Sequence, residues 1–134
     1  IDGMIIRVSD EFFVIPITSI IEFIDAKKQI YKKAEGNRPI INLRDKYIPC
    51  ADLADIFSME SDTGNIKKGI LIILKDGRKR IALHVDEIIG QEQIVIKSVK
   101  HNLGESNAIA GATILGNGNV SVILDVSSIA NKKY

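Results

Sequence analysis

The chain contains the same arrangement of apolar segments and turns twice. An early segment, MIIRVSDEFFVIPITSIIE, resembles a later one, ILIILKDGRKRIALHVDEIIG, and this aligns Ile20 with Ile88 at an offset of 68 residues. A second pair, IINLRDKYIPCADLADI and TILGNGNVSVILDVSSI, aligns Asp52 with Asp125 at an offset of 73 residues. Because apolar runs bounded by turn residues are typical of strands, each copy predicts a hairpin, a connecting strand, a second hairpin and a short helical turn.

The clearest hairpin lies near the end of the second copy, at Ile109–Val126. Its arms are rich in Ile, Val and Thr, which favour strands. They flank Gly-Asn-Gly-Asn at residues 116–119, which tolerate the positive φ of a tight reversal. Alternation from Val120 to Leu124 places three apolar side chains on one face, which we expect to meet the core. We expect the opposite, mixed face, which carries Ser121, to be only partly covered.

The predicted strands are distributed along the whole chain. They cover residues 4–8, 12–16, 19–25, 39–43, 47–50, 70–75, 79–85 and 93–99 besides the hairpin, with a helical turn at 52–57, a linker at 58–68 and a bend at 86–90. About five short twisted strands per copy close into a small barrel with few exposed edges. We therefore predict an all-β fold of two similar barrels with pseudo-two-fold symmetry and a concave binding site at their seam. The first barrel covers approximately residues 1–62 and the second 66–134, with exchange of strands between them allowed.

Composition restricts the class of function. The 18 Lys and Arg residues nearly balance the 17 Asp and Glu residues, which disfavours binding driven by nucleic-acid phosphates, and aromatics at 5% provide few stacking side chains. The single cysteine excludes an intrachain disulfide and indicates a reducing compartment. The longest apolar run, Ile70–Leu74, is too short to span a bilayer, and no signal peptide is recognisable. Because the chain opens without Met, we expect it to be part of a longer protein.

No set of residues predicts catalysis. His84 lies within a strand and His101 within a polar loop, and neither has the spacing of a zinc site. Cys50 has no local cationic neighbour, which predicts a buried, inert thiol. The glycines of residues 111–118 open a strand rather than a helix, so they do not indicate a phosphate cradle. We predict no catalytic residue, no metal and no cofactor, and we favour a protein-binding module.

Two charged features have alternative interpretations. Residues 27–33 carry four lysines, which could bind an acidic partner, but a solvated edge strand protected by lysines is the favoured interpretation. Arg44 follows a strand and precedes Asp45, which favours a solvated turn arginine. The alternative is an anchor paired with Glu22, because arginine forms bidentate bonds to carboxylates and is enriched at interface hot spots.

Several segments resemble one known family. VDEIIGQEQIVIKSV at residues 85–99 and GATILGNGNVSVILDVSSI at 111–129 are similar to the CheW-like regulatory domain of the bacterial chemotaxis histidine kinase CheA. INLRDKYIPCADL at 41–53 resembles the NLRG-x-x-x-P-x-x-DL stretch of the adaptor CheW, which usually has Gly where this chain has Asp45. The resemblance covers essentially the whole chain, and it implies two SH3-like five-stranded barrels.

The resemblance implies a regulatory function without catalysis. Such a domain binds the CheW adaptor and the tips of methyl-accepting chemotaxis receptors, and it couples receptor state to autophosphorylation by the other domains of the same kinase. It is cytoplasmic, associated with receptor arrays at the inner face of the membrane, with no direct membrane insertion and no nucleic-acid partner. A free-standing adaptor of the CheW or CheV type is the main alternative. A nucleic-acid-binding small barrel and an enzyme that uses the inter-barrel groove are disfavoured.

The resemblance also points to partner-binding residues. Glu22 and Arg44 fall where the adaptor has a Glu and an Arg that influence receptor and kinase coupling, and Ile20 falls at a hydrophobic groove position. We expect Ile20 and Leu43 to contribute buried contact area, and Glu22 and Arg44 to set the register. Ile94 is a further candidate partner-binding residue.

Overall fold

The fold is built almost entirely from short strands. The computed structural model describes residues 1–29, 31–33, 38–60, 68–97 and 108–131. The strands are β1 (Asp2–Val8), β2 (Glu11–Pro16), β3 (Ile20–Asp25), β4 (Tyr31–Lys33), β5 (Pro39–Leu43), β6 (Lys46–Asp52), β7 (Ile70–Asp76), β8 (Lys79–Val85), β9 (Glu87–Gln93), β10 (Ile109–Ile114) and β11 (Val120–Leu124). Two short helices, α1 (Leu53–Ile56) and α2 (Val126–Asn131), and two 3-10 turns, Ile17–Ser19 and Ala26–Lys28, accompany them. The predicted all-β class is confirmed.

The strands form two sheets. The first has five strands in the order β10-β11-β2-β1-β9, and the second has six in the order β3-β7-β8-β6-β5-β4. In the first sheet, a bridge between Lys97 and Ala112 joins the chain beyond β9 to the opposite edge strand. In the second, the edge strands β3 and β4 follow each other in the chain, with the 3-10 turn Ala26–Lys28 between them. Each sheet therefore curls around an apolar core of its own.

The two sheets share one topology, and each takes strands from both repeats. Hairpin β1–β2 of the first repeat pairs with β9 and β11 of the second, and hairpin β7–β8 of the second pairs with β3 and β6 of the first. Ile123 lies beside Val14 in the parallel β11–β2 pair, and Cys50 lies beside Ala82 in the parallel β6–β8 pair. The sequence offsets of 73 and 68 relate these two pairs residue for residue. The first hairpins are thus exchanged between the copies.

This exchange bears on the predicted division of the chain. Residues 1–62 and 66–134 do not each form a separate sheet, because hairpins β1–β2 and β7–β8 each pair with strands of the other half. The boundary itself falls at residues 61–67, outside the described residues, as does most of the predicted linker. That the whole chain behaves as one domain stays a prediction.

The largest apolar core lies between the sheets. It joins Ile6 and Phe13 of the first sheet to Ile72 and Leu83 of the second, and Leu53 of α1 packs into it. All five side chains are at most 3% exposed. Over these residues the seam is a packed core and not the concave site expected from the sequence, because the apolar face of each sheet is covered by the other.

The region around β9 is a local prediction that is wrong. The sequence predicts a bend at residues 86–90 and a strand at 93–99, whereas the strand covers Glu87–Gln93. The register between β1 and β9 shifts where Ile5 pairs with Gly90, which marks a β-bulge. An extra residue at a bulge interrupts the alternation of apolar side chains, so the sequence pattern there no longer indicates a strand.

The buried face of β11 also differs from the prediction. Ser121 is only 1% exposed, whereas Val120 on the opposite face is 70% exposed. The hydroxyl of Ser121 donates a hydrogen bond of 2.8 Å to the backbone carbonyl of Phe12 on the neighbouring strand. A buried polar side chain is tolerated when it is hydrogen-bonded, so this face can be covered despite its mixed composition.

Two other local predictions are confirmed. The helical turn at residues 52–57 is α1, and Asp52 caps it by accepting a hydrogen bond of 3.1 Å from the backbone N–H of Ala54. Part of the lysine-rich segment is an edge strand, because β4 lies at the edge of the second sheet with Lys32 and Lys33 exposed. No helix among the described residues is long and apolar enough to cross a membrane.

Candidate functional site

An ion pair between Arg44 and Glu22 joins the β5–β6 turn to the edge strand β3. Nη1 of Arg44 donates to Oε1 of Glu22 at 3.3 Å, and Nη2 donates to Oε2, so the contact is bidentate. The side chain of Arg44 remains 69% exposed. The hydrogen bond from Arg44 to Glu22, together with the charge of that carboxylate, raises the pKa of Arg44 above its ordinary value. The less favoured of the two interpretations of Arg44 is therefore confirmed.

A tight two-residue turn positions the arginine. Leu43 pairs with Lys46, and the two residues between them, Arg44 and Asp45, have positive φ values of 49° and 66°. Two central residues with positive φ are the conformation of a type I′ hairpin turn. The side-chain oxygen of Asn42 accepts a hydrogen bond of 3.0 Å from the backbone N–H of Asp45. The turn thus forms with Asp where glycine is the usual residue.

A β-bulge prepares the other side of the site. The register between β3 and β7 shifts between Ile20 and Glu22, which leaves Ile21 as the extra residue with 41% of its surface exposed. The first sheet has the same shift at the pseudo-symmetric position, where Ile89 is 50% exposed. Because a bulge redirects a side chain at a sheet edge, it presents Ile21 near the ion pair.

A shallow groove of about 250 Å³ begins at this ion pair, and we call it the Arg44 groove. Its apolar side chains are Ile21, Leu43, Ile48 and Ile73, and its basic side chains are Arg44, Lys46 and Arg80. Ile48 and Ile73 are at most 5% exposed and form the floor, whereas Ile21 and Arg44 are open to solvent. The groove therefore offers apolar contact area next to an arginine held in one orientation.

The structure brings three of the five predicted partner-binding residues together. Leu43 and Arg44 line the Arg44 groove, and Glu22 holds Arg44 beside it. Ile20 is half-buried and packs against the core between the sheets, so the bulge puts its neighbour in the groove instead. Ile94 is 4% exposed in the core of the first sheet. Its choice as a partner-binding residue is not supported, because a buried side chain has no free surface to offer.

Sequence reasoning missed Ile21, Lys46 and Arg80 as groove residues. Strict alternation from Ile20 assigns Ile21 to the opposite face, and only the bulge changes this. Arg80 lies on the exchanged hairpin β7–β8, so its proximity to the β5–β6 turn follows from the parallel pairing of β6 and β8. The available signal was the repeat offset itself, which relates the two bulges to each other.

His84 is a buried polar residue of the second sheet. Its Nδ1 lies 3.2 Å from Oδ1 of Asp52, and its Nε2 is hydrogen-bonded to the backbone carbonyl of Lys68. Burial lowers the pKa of His84, but the hydrogen bonds to Asp52 and Lys68 and the charges of Asp52 and Asp86 outweigh burial, so that the pKa is raised. These contacts tie β8 to the N-cap of α1 and to the residues before β7.

The thiol of Cys50 lies in the core of the second sheet. Burial raises the pKa of Cys50 to about 12, against a smaller opposing effect of the Arg38 charge. A thiol with this pKa is almost entirely protonated near neutral pH, which makes it a poor nucleophile. Within the described ranges, no three His, Cys, Asp or Glu side chains are grouped so that they could hold a metal ion.

Comparison with known proteins identifies the family. The model of the CheW-like domain matches residues 2–133. The chain belongs to the CheW-like domain family. Its relatives include the chemotaxis protein CheA of Bacillus subtilis, 36% identical over 131 residues, and that of Salmonella typhimurium, 33% identical over 129 residues. Each of these matches covers 96% of this CheW-like domain but only 19% of the relative, so the chain spans about a fifth of their length.

Two further matches agree with this assignment. The sensor histidine kinase CheAY of Helicobacter pylori is 30% identical over 129 residues, which are 96% of this chain and 16% of that protein. The crystal structure of the scaffolding protein CheW from Thermoanaerobacter tengcongensis superposes with a TM-score of 0.79 at 20% identity, and the match covers 92% of this chain and 88% of that one. This structural likeness shows the fold. The resemblance to a CheW-like domain related to CheA is confirmed.

Proposed function

We propose that this CheW-like domain is the regulatory domain of a chemotaxis sensor histidine kinase. It binds the adaptor CheW and the tips of chemoreceptors, and it couples receptor state to autophosphorylation by other domains of the same protein. It performs no catalysis itself. The similarity to CheA proteins of which this chain would be one part supports the assignment, at 33% and 36% identity to two of them.

The observation that carries the proposal is the bidentate pair of Arg44 and Glu22 beside exposed Ile21. An arginine already held by a carboxylate loses less side-chain freedom when a partner binds, which favours affinity. The adjoining apolar floor provides desolvated contact area, and arginine next to such area is typical of interface hot spots. An ordinary interface buries about 800 Å² on each partner, so the groove would be the centre of a larger contact.

The proposed location is the inner face of the membrane, at receptor arrays, without insertion into the bilayer. The alternative function, a free-standing CheW- or CheV-type adaptor, is favoured by the superposition on a CheW scaffolding protein. The two can be separated by adding the chain to receptors and kinase that lack CheW. An adaptor restores receptor control of the kinase, whereas a regulatory domain supplied separately does not restore it and competes for CheW when CheW is then added.

The proposal is tested by titrating purified CheW into the domain by calorimetry at low and at physiological ionic strength. We expect binding by the native domain, and weaker binding by at least about tenfold in Arg44→Glu. Lys28→Glu is the matched control, because Lys28 is exposed beyond the far end of β3, and it should bind as the native domain does. Absence of binding, or equal binding by Arg44→Glu, contradicts the proposal.

A double variant separates two roles of the arginine. Glu22→Arg combined with Arg44→Glu restores an ion pair with reversed polarity at the same place. If Arg44 contacts the partner directly, the double variant binds as weakly as Arg44→Glu. If the pair acts only by holding the β5–β6 turn against β3, the double variant recovers binding.

A further inference from the structure

A second groove continues from the Arg44 groove across the β5–β6 and β7–β8 hairpins. It has a volume of about 370 Å³ and is lined by Lys46, Tyr47, Ile48, Arg78 and Arg80. We call it the Tyr47 groove. Tyr47 is 56% exposed, and Ile48 is 5% exposed at the floor. Three cations therefore surround one exposed aromatic ring above an aliphatic floor.

The positive charge of this groove is not neutralised by its surroundings. In the part of the chain that the structure describes, Lys46, Arg78 and Arg80 form no ion pair. Nη1 of Arg80 instead donates to the backbone carbonyls of Gly77 and Lys79, at 2.8 and 3.0 Å. These bonds fix the guanidinium in place without cancelling its charge.

The nearby acidic side chains are engaged elsewhere, and a further cation approaches the ring. Glu22 is paired with Arg44, and Asp76 accepts hydrogen bonds from Asn131 and Ser127 of the chain around α2. Nζ of Lys32 lies 5.4 Å from the centroid of the Tyr47 ring and 3.4 Å from its hydroxyl. The whole chain has a formal net charge of only +1, so this positive surface is a local concentration.

We propose that the Tyr47 groove binds an acidic segment of a partner protein. Carboxylates of that segment pair with Lys46 and Arg78, and an apolar side chain of the segment lies on Ile48 against the ring of Tyr47. Unpaired cations around a groove attract a partner of opposite charge and fix its register. The inference does not rest on the proposed kinase function, because it follows from the charges and shape of this surface alone.

The form of the groove favours a protein segment over other anions. Single-stranded nucleic acid is bound by several stacking aromatics along a basic path, whereas this groove has one exposed ring and an aliphatic floor. A small inorganic anion would have no use for the apolar floor. A peptide that alternates carboxylates with apolar side chains matches both features.

The test is a titration of the domain with a fluorescein-labelled peptide of alternating Glu and Leu, followed by anisotropy at low ionic strength. We expect saturable binding that weakens by at least about tenfold in the variant Lys46→Glu/Arg78→Glu. Lys27→Glu/Lys28→Glu makes the same change in net charge at exposed positions beyond the far end of β3 and should bind as the native domain does. Circular dichroism confirms that each variant is folded.

Three outcomes overturn the inference. They are no saturable binding by the native domain, equal weakening in both double variants, and tighter binding of a labelled oligothymidine than of the peptide, which would assign the surface to nucleic acid. Amide chemical shifts provide the location, and we expect the peptide to perturb residues 46–48 and 78–80. Failure of the domain to bind CheW, with peptide binding mapped to these residues, would remove the proposed function and leave this inference standing.

Discussion

His84 and Asp52 lie side by side on the parallel strands β8 and β6, with Nδ1 of the imidazole 3.2 Å from a carboxylate oxygen. The other ring nitrogen faces the backbone carbonyl of Lys68, which can only accept a hydrogen bond. An ionised carboxylate also only accepts, so both contacts are satisfied together only when both ring nitrogens carry protons. The pair therefore stabilises a charged imidazole that is completely buried.

The first prediction is that stability depends on pH through His84. The folded-state pKa of His84 is raised above that of the unfolded chain, which is about 6.5. The stabilisation is therefore fully present below about pH 6.5 and is lost as the pH rises through the folded-state pKa. Urea unfolding at several pH values should show a fall in the free energy of unfolding over this range.

The control for this prediction is His84→Gln, which removes the titrating group. We expect this variant to be destabilised by about 1–3 kcal/mol at low pH, because buried acceptors lose their donors, and to show a flatter pH dependence. His101→Gln should keep the slope of the native protein. A slope in His84→Gln equal to that of the native chain would show that other groups cause the pH dependence.

The second prediction concerns the single thiol. Because burial raises the pKa of Cys50 to about 12, the folded protein should react with a disulfide reagent only through unfolding. The rate of labelling should therefore rise with urea in parallel with the population of unfolded chain. Fast labelling in the absence of urea, at the rate of the denatured protein, would contradict the buried position of this side chain.

The third prediction is that both sheets unfold together. The largest core lies between them, so Leu83→Ala should lower the free energy of unfolding by about 2–5 kcal/mol in a single transition. Val120→Ala is the control, because Val120 is 70% exposed, and its effect should stay within about 0.5 kcal/mol. Circular dichroism and Cys50 labelling should give the same midpoint; two separated transitions would show that the sheets are independent.

The repeat predicted the topology of the fold better than its partition. The offsets of 68 and 73 residues relate the pair Ile123 and Val14 to the pair Cys50 and Ala82, so the internal similarity carries information on register. It carries none on which copy of the first hairpin pairs with which remaining strands, because both choices bury the same side chains. Exchange of the hairpins, and the core that it creates between the sheets, could only be found in the structure.

The candidate site was predictable to the extent that its residues lie close in sequence to a turn. Arg44 and Leu43 belong to the β5–β6 hairpin, and the charge of Glu22 suggested the pairing. Ile20 was chosen in place of Ile21 because a bulge changes the face of a residue without any signal in composition. Ile94 was chosen by resemblance, and a resemblance does not report burial.

The final prediction concerns the turn that presents Arg44. Asp45 has a φ of 66°, a conformation that costs a residue with a Cβ about 1 kcal/mol relative to glycine. Asp45→Gly should therefore raise the free energy of unfolding by up to about 1 kcal/mol, with part of the gain offset by the greater freedom of glycine in the unfolded chain. Asp45→Val, which adds a branched side chain at the same φ, should be destabilising. Urea unfolding of both variants tests this, and CheW binding by Asp45→Gly should match that of the native domain, because the bond between Arg44 and Glu22 is kept. A loss of stability in Asp45→Gly would mean that the aspartate side chain itself holds the turn.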